Sequence, residues 1–232
     1  MPKQLKLVAA GVIAVMLAIP TGAFLYIHFV EPKAPARLSL STDTTDGSAT
    51  SATAAAAGGL SGTWKATPAS QVGYRVNEVL FGQVNVAVGR TSDVSGTLTI
   101  GAGAVTAADL TVDMTTMTSD KPKRDEQFRG RIMNTAAYPT AAFRLTKPVP
   151  LASVPGDQSP VPERATGQLT LRGVTRTVSV DLKAQRNGGR IEVNGAIPIA
   201  FADWGIPNPT FGPVSTEDHG LLELLIVAER AR

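Results

Sequence analysis

"ATGQLTLRGVTRTVSVDL", residues 165–182, sets Leu169 and Leu171 two apart, turns at Gly173, and then sets Val178, Val180 and Leu182 two apart. Successive side chains of an extended strand point to opposite faces, so each run has one apolar face and one face of threonine, serine and charge. Two such runs joined by a glycine-containing turn predict a β-hairpin with one face on an apolar interior.

The same period of two recurs on both sides of this hairpin. Upstream it groups Val72, Tyr74 and Val76; Val84, Val86 and Val88; Val94, Leu98 and Ile100; Leu110, Val112 and Met114; and Ala141, Phe143 and Leu145. Downstream, Asn187-Gly188 marks a second tight turn before "RIEV", and "LLELLIVAE" closes the chain. Eight or nine short alternating runs predict antiparallel strands in a sandwich or closed barrel, with one face inward and the other to water. "GAGAVT" at 101–106 lacks the third glycine and following helix of a nucleotide loop, so it reads as a turn between strands.

One stretch breaks the rhythm. In "RDEQFRGRIM", 124–133, Phe128 and Ile132 stand four apart, and Asp125 is spaced to pair with Arg129. A short inserted helix is expected here, capped by Ser119 or Asp120, weakened by Gly130 and ended by Tyr138-Pro139. Its charges then occupy the solvated face, while its apolar face closes one end of the barrel.

Ahead of the strands lie two other kinds of sequence. Residues 7–30 hold no Asp, Glu, Lys or Arg. As a helix they reach roughly 36 Å, enough for a hydrocarbon core of about 30 Å. The rival reading is a signal peptide cleaved after "TGA" at 21–23, but the apolar run continues past that point. The expected organisation is a cytoplasmic N-terminus (1–6), a transmembrane signal anchor (7–30), a flexible linker (31–62) and a β-barrel domain (63–232). The linker is low in large apolar residues and rich in Ser, Thr, Ala and Gly. Lys3 and Lys6 favour the cytoplasm for the N-terminus, placing a single-pass protein in the cell membrane with its C-terminal domain extracytoplasmic.

Several chemistries drop out. The chain has no cysteine, so disulfides, thiolate metal sites and cysteine nucleophiles are excluded. Lys3, Lys6, Lys33 and Arg37 against Glu31 account for the whole net charge of +3, leaving 38–232 formally neutral; this is no nucleic-acid footprint. His219 is the domain's one histidine and sits beside Glu217 and Asp218, a pattern read as a solvated loop rather than a metal site. No G-x-S-x-G elbow is present. Neither a catalytic group nor a metal is expected.

The domain from Trp64 to about Ala228 resembles the YceI-like family of lipocalin-like, polyisoprenoid-binding bacterial proteins. The likeness is carried by "VGYRV" (72–76), "DVSGTLTI" (93–100), the Arg124-Asp125 pair, "YPTAAF" (138–143), the hairpin at 165–182 and "FADWGI" (201–206). It implies an antiparallel barrel around an elongated apolar cavity that holds an isoprenoid or other long-chain lipid, an isoprenoid quinone among them, without enzymatic activity. Tyr74, Leu98, Phe128, Met133, Phe143, Leu171 and Trp204 are the expected cavity walls. Arg124 and Arg172 are the expected contacts for a polar lipid head. From the residues alone the same side chains equally pack a filled core, since an eight-stranded barrel can be solid or hollow. A filled barrel would make the chain an envelope interaction or stress-response module.

Overall fold

The computed structural model describes residues 33–42, 59–80, 82–151, 159–210, 212 and 214–231. The apolar run 7–30 lies outside them; among the described residues no helix is long and apolar enough to cross a membrane.

The alternating runs form strands β1 (Gly62–Ala66), β2 (Gln71–Leu80), β3 (Gln83–Thr91), β4 (Val94–Gly101), β5 (Ala104–Asp113), β6 (Thr118–Ser119), β7 (Thr140–Leu145), β8 (Val149–Pro150), β9 (Val161–Leu171), β10 (Val174–Asn187), β11 (Arg190–Ala200), β12 (Val214–Thr216) and β13 (His219–Arg230). All pairings are antiparallel. Eight strands close a barrel in the order β1-β4-β5-β7-β9-β10-β11-β13, with β13 returning to β1 through Trp64–Arg230 and its neighbours. On the edge away from β11, β13 serves two partners along its length. Leu221–Leu225 pair with β2, which carries β3 and β6, and Ala228–Arg230 pair with β1.

The hairpin at 165–182 forms as expected, with Val174 opposite Leu171 and Val180 opposite Ala165. The turns at Ala102-Gly103 and Arg172-Gly173 carry positive φ at both central residues, the geometry that matches the twist of the strands they join.

β3 is the exception to the expected alternation. Its valines do not line the interior; Ala87 does, opposite Val76. Glu78 and Tyr74, which point inward on β2, face Asn85 and Gly89. Val84, Val86 and Val88 therefore point outward.

The inserted helix, α1 (Pro122–Gln127), is shorter than expected and runs into one wide π-type turn, Phe128–Ile132. Neither Ser119 nor Asp120 caps it. Lys121 is the cap residue, without a side-chain bond, and Pro122 opens the helix with the φ it prefers. Asp125 turns inward and accepts from Ser119 N (2.8 Å) and Oγ (2.6 Å) rather than pairing with Arg129. Asn134, at φ 49°, stops the turn before Tyr138-Pro139 is reached.

Residues 33–42, the first part of the expected flexible linker, run as a strap over the outside of the barrel. They cross side chains that point outward yet are buried: Gln185, Glu192 and Glu223, at 1–3% exposure. Arg75 donates to Pro35 O (2.7 Å) and Arg90 to Ala36 O. Arg37 lies 3.9 Å from Glu223, and Asn194 donates to Leu38 O (2.8 Å). Ser41 N donates to Glu192 Oε2 and Gln185 Nε2 to Ser41 O, both at 2.9 Å. Backbone groups of an extended segment satisfy polar groups that the barrel wall leaves unpaired, which composition alone does not reveal.

The wall is interrupted between β10 and β11. The β10–β11 ladder pairs Leu182–Asn187 with Arg190–Gly195 and stops there. Beyond it β10 is held only by β9 and β11 only by β13. Two arginines tie the far side of this seam, Arg176 Nε to Asp203 O and Arg172 Nη1 to Gly205 O, both 2.5 Å.

Candidate functional site

Inside the barrel is a cavity of about 640 Å³. This lies within the usual span of small-molecule sites, about 300–1,000 Å³. The barrel is hollow. Its wall is the inward register of most strands: Val72, Tyr74 and Val76 on β2, Leu110 and Val112 on β5, Phe143 and Leu145 on β7, Leu169 and Leu171 on β9, Val180 and Leu182 on β10, Ile197 and Ile199 on β11, and Leu222, Leu224 and Ile226 on β13.

Six of the seven expected wall residues line it: Tyr74, Leu98, Phe128, Met133, Phe143 and Leu171. Tyr74 and Phe128 stack at 5.1 Å between centroids with planes 13° apart, so the wide turn after α1 presses an aromatic ring onto β2. Two glycines make room for rings. A Cβ on Gly89 would fall 2.4 Å from Tyr74, and one on Gly167 2.4 Å from Phe143. Trp204 is buried, but it packs in the core beside the cavity and does not line it. It sits in the 3₁₀ turn Phe201–Trp204, where Phe201 takes the inward position.

Apart from Glu163, the charged lining gathers at one end, formed by α1, β2, Ile206, Pro209, Val214 and Thr216. Arg124 is the expected head-group residue that reaches the cavity. Its Nη2 lies 2.9 Å from Glu78 Oε1 and its Nη1 pairs with Asp120. Burial works against its charge, but Glu78 and Asp120 outweigh burial and hold its pKa above the ordinary value. Asn85 Nδ2 donates to the same Glu78 oxygen at 2.9 Å. Lys121 and Lys123 line the cavity beside them. Burial raises the pKa of Tyr74 well above a free phenol, so it stays neutral as a hydrogen-bonding group. Arg172 is elsewhere: besides bonding Gly205 O, its guanidinium lies 5.9 Å from the Tyr138 ring centroid, and it does not line the cavity.

Sequence reasoning missed Glu78 and Glu163, although both stand on an inward register, two residues after Val76 and two before Ala165. Glu163 lines the cavity beside Leu182, far from Arg124, and its Oε1 has no hydrogen-bond partner. Burial raises its pKa above the usual carboxylate range. Trp64, Leu98, Ile100, Ile191 and Ala228 pack that far end as a separate cluster, with Trp64 Nε1 donating to Leu60 O at 2.8 Å.

His219 is exposed, 2.9 Å from Asp218 and 3.4 Å from Glu217. Its bond to Asp218 raises its pKa. Among the described residues no group of three metal-ligating side chains converges.

The YceI-like domain matches residues 64–228, most of the chain and nearly all of the barrel. The chain belongs to the YceI-like family. A UPF0312 protein of Pseudomonas paraeruginosa is 29% identical over 153 residues, 62% of this chain and 73% of that protein. A UPF0312 protein of a Shewanella species is 29% identical over 172 residues, 70% of this chain and 82% of that one. Two solved structures share the fold at 19% identity. One is a polyisoprenoid binding domain from Saccharophagus degradans implicated in plant cell wall breakdown (TM-score 0.57, 73% of this chain and 98% of that one). The other is BcnA of Burkholderia cenocepacia (TM-score 0.56, 70% and 98%).

Proposed function

We propose that this YceI-like protein is a membrane-tethered, extracytoplasmic lipid-binding module that holds a long isoprenoid or similar apolar chain, an isoprenoid quinone among them, in the barrel. The observation that carries the reading is the cavity: mostly apolar along its length, with Arg124, Glu78, Lys121 and Lys123 gathered at one end and Glu163 the single charged group towards the other. An amphiphile with one polar end and a long apolar tail has that same asymmetry. Burial of about ten methylene-sized units contributes roughly 8 kcal/mol before the cost of association. A lipid-binding role for a similar fold, in the Saccharophagus domain, supports the reading. The hollow interior speaks against the filled-barrel interaction module. Sequestration of the chain, rather than its turnover, is the mechanism this reading assigns to the cavity.

The test is mass spectrometry of lipids extracted from the purified full-length chain. A co-purifying species with a prenyl-repeat mass is the expected result. A chain that carries no lipid from its native membrane, and takes up none when offered a long prenyl alcohol, would defeat the proposal.

A further inference from the structure

We infer that the outer edge of β3, at the tip of the β2–β3 hairpin, is a pairing surface for a second copy of this chain, β3 against β3 about a two-fold axis at Val84. This goes beyond the lipid-binding reading; only the strength of the pairing rests on the proposed tether.

The backbone defines the surface. Glu217 N donates to Asn77 O at 3.2 Å, so Asn77 turns its main-chain groups away from β3. Asn77 stands opposite Val86, and Val79 opposite Val84. Every second cross-strand pair of an antiparallel ladder exchanges no hydrogen bonds. Val84, Val86 and Val88 therefore turn their N–H and C=O groups away from β2. β6 meets that outer edge only at Gly89 and Arg90. Among the described residues no ladder takes up the groups of Val84, Val86 or Val88. A row of donors and acceptors at strand spacing is matched by another extended strand.

The sequence of the edge points to which strand. Edges that avoid partners carry lysine, proline or a bulge. Gln83–Val88, "QVNVAV", has no charge, no proline and no break in its register with β2. Its free backbone groups and its valines both repeat every second residue, so the segment complements itself. Turned antiparallel about Val84, each Val84 faces its own counterpart, and Val86 comes opposite the partner's Gly82. No charged residue on 82–86 opposes another across the axis. The centre is also the open part of the edge. Lys33–Pro35 share a groove with Val86 and Val88, whereas Val84 lies beyond it and is 78% exposed. Val79, beside it on β2, is 38% exposed and widens the apolar contact. A contact a few residues long falls short of the roughly 1,200 Å² typical of stable complexes. The pairing is thus weak in free solution and gains from copies tethered to one membrane.

The chain has no cysteine, so an introduced cysteine is its sole thiol. The full chain with Val84→Cys is reconstituted into vesicles and oxidised with copper phenanthroline, with Gly189→Cys as the reference. Gly189 lies in the β10–β11 turn, where an added Cβ meets nothing within 4 Å. Disulfide-linked dimer is expected to form several-fold faster at position 84. Adding Val86→Pro blocks the edge without costing a ladder bond, since that N–H faces outward, and should bring position 84 down to the reference rate. Val86→Lys makes the same test without touching the backbone. Equal rates at 84 and 189, or a rate at 84 that neither edge variant lowers, reports collision and overturns the pairing. Flotation reads the anchor separately. A chain that does not float drops the tether, and the same comparison at high protein concentration in solution then decides the pairing.

Discussion

Leu171 is buried on the inward register of β9 and touches the cavity just before the Arg172-Gly173 turn. Leu171→Asn therefore places an amide against the bound chain. In the empty barrel cavity water can satisfy it; in the loaded one it loses that water at about 1–3 kcal/mol. Prenyl-lipid affinity is expected to fall by roughly tenfold or more, and apo stability by less, as read by lipid retention and urea denaturation of the same variant. Glu163 gives a second residue-level prediction. Burial holds its folded pKa above the unfolded carboxylate value of about 4.3. The protonated form is thus the one the fold favours, and its contribution is present below that value and lost as pH rises through the folded pKa. Glu163→Gln removes the dependence, so the variant should be more stable than the parent at neutral pH and no more stable at acid pH. A denaturation series across pH checks it; a variant less stable at pH 7 contradicts it.

Among the elements, strand existence and face were legible wherever one side chain in two was large and apolar, as at Leu169/Leu171 and Val180/Leu182. β3 shows the limit. Its valines alternate as an inward face should, but the strap supplies an apolar partner outside, and small Ala87 and Gly89 face inward because Tyr74 fills the space there. Periodicity reports that a face is covered, not by what. The strap itself was hidden because it is held through backbone carbonyls and amides that any sequence provides. Trp204 and Arg172 were read by residue type; the neighbouring turn gave the inward position to Phe201 and set Arg172 to tie the seam. Removing residues 33–42 strips Ser41 from buried Glu192 and Gln185. The loss should be about 1–3 kcal/mol, several degrees of thermal midpoint. Burial opposes the charge of Glu192, but donors from Asn187, Ser41 and Gln185 outweigh it and lower its pKa. The strap's contribution is therefore present above about pH 4.3 and lost as pH falls through the folded value. A midpoint unchanged by the deletion at pH 7 would show that the strap rests on the barrel without holding it.

At the scale of the whole molecule, the barrel was legible from the number of alternating runs, whereas its hollowness was not, because a wall residue and a core residue share one pattern. The proposed anchor makes one prediction here: intact-mass measurement of protein extracted from membranes should include residues 1–23, and a mature N-terminus near residue 24 would mean cleavage instead.

The seam between β10 and β11 gives this cylinder a slit. Along β10 and β11 the splice ends at Leu182–Gly195, and two arginine contacts hold the lips. Widening at the slit breaks no ladder bond, so the calibre is expected to be adjustable, while the Trp64 cluster packs the far end and is expected to set the length. If the proposed lipid cargo enters this bore, it is expected to be graded by length rather than by girth. Methyl-branched and linear chains of equal length should be retained alike, and a chain too long for the bore should be the one refused.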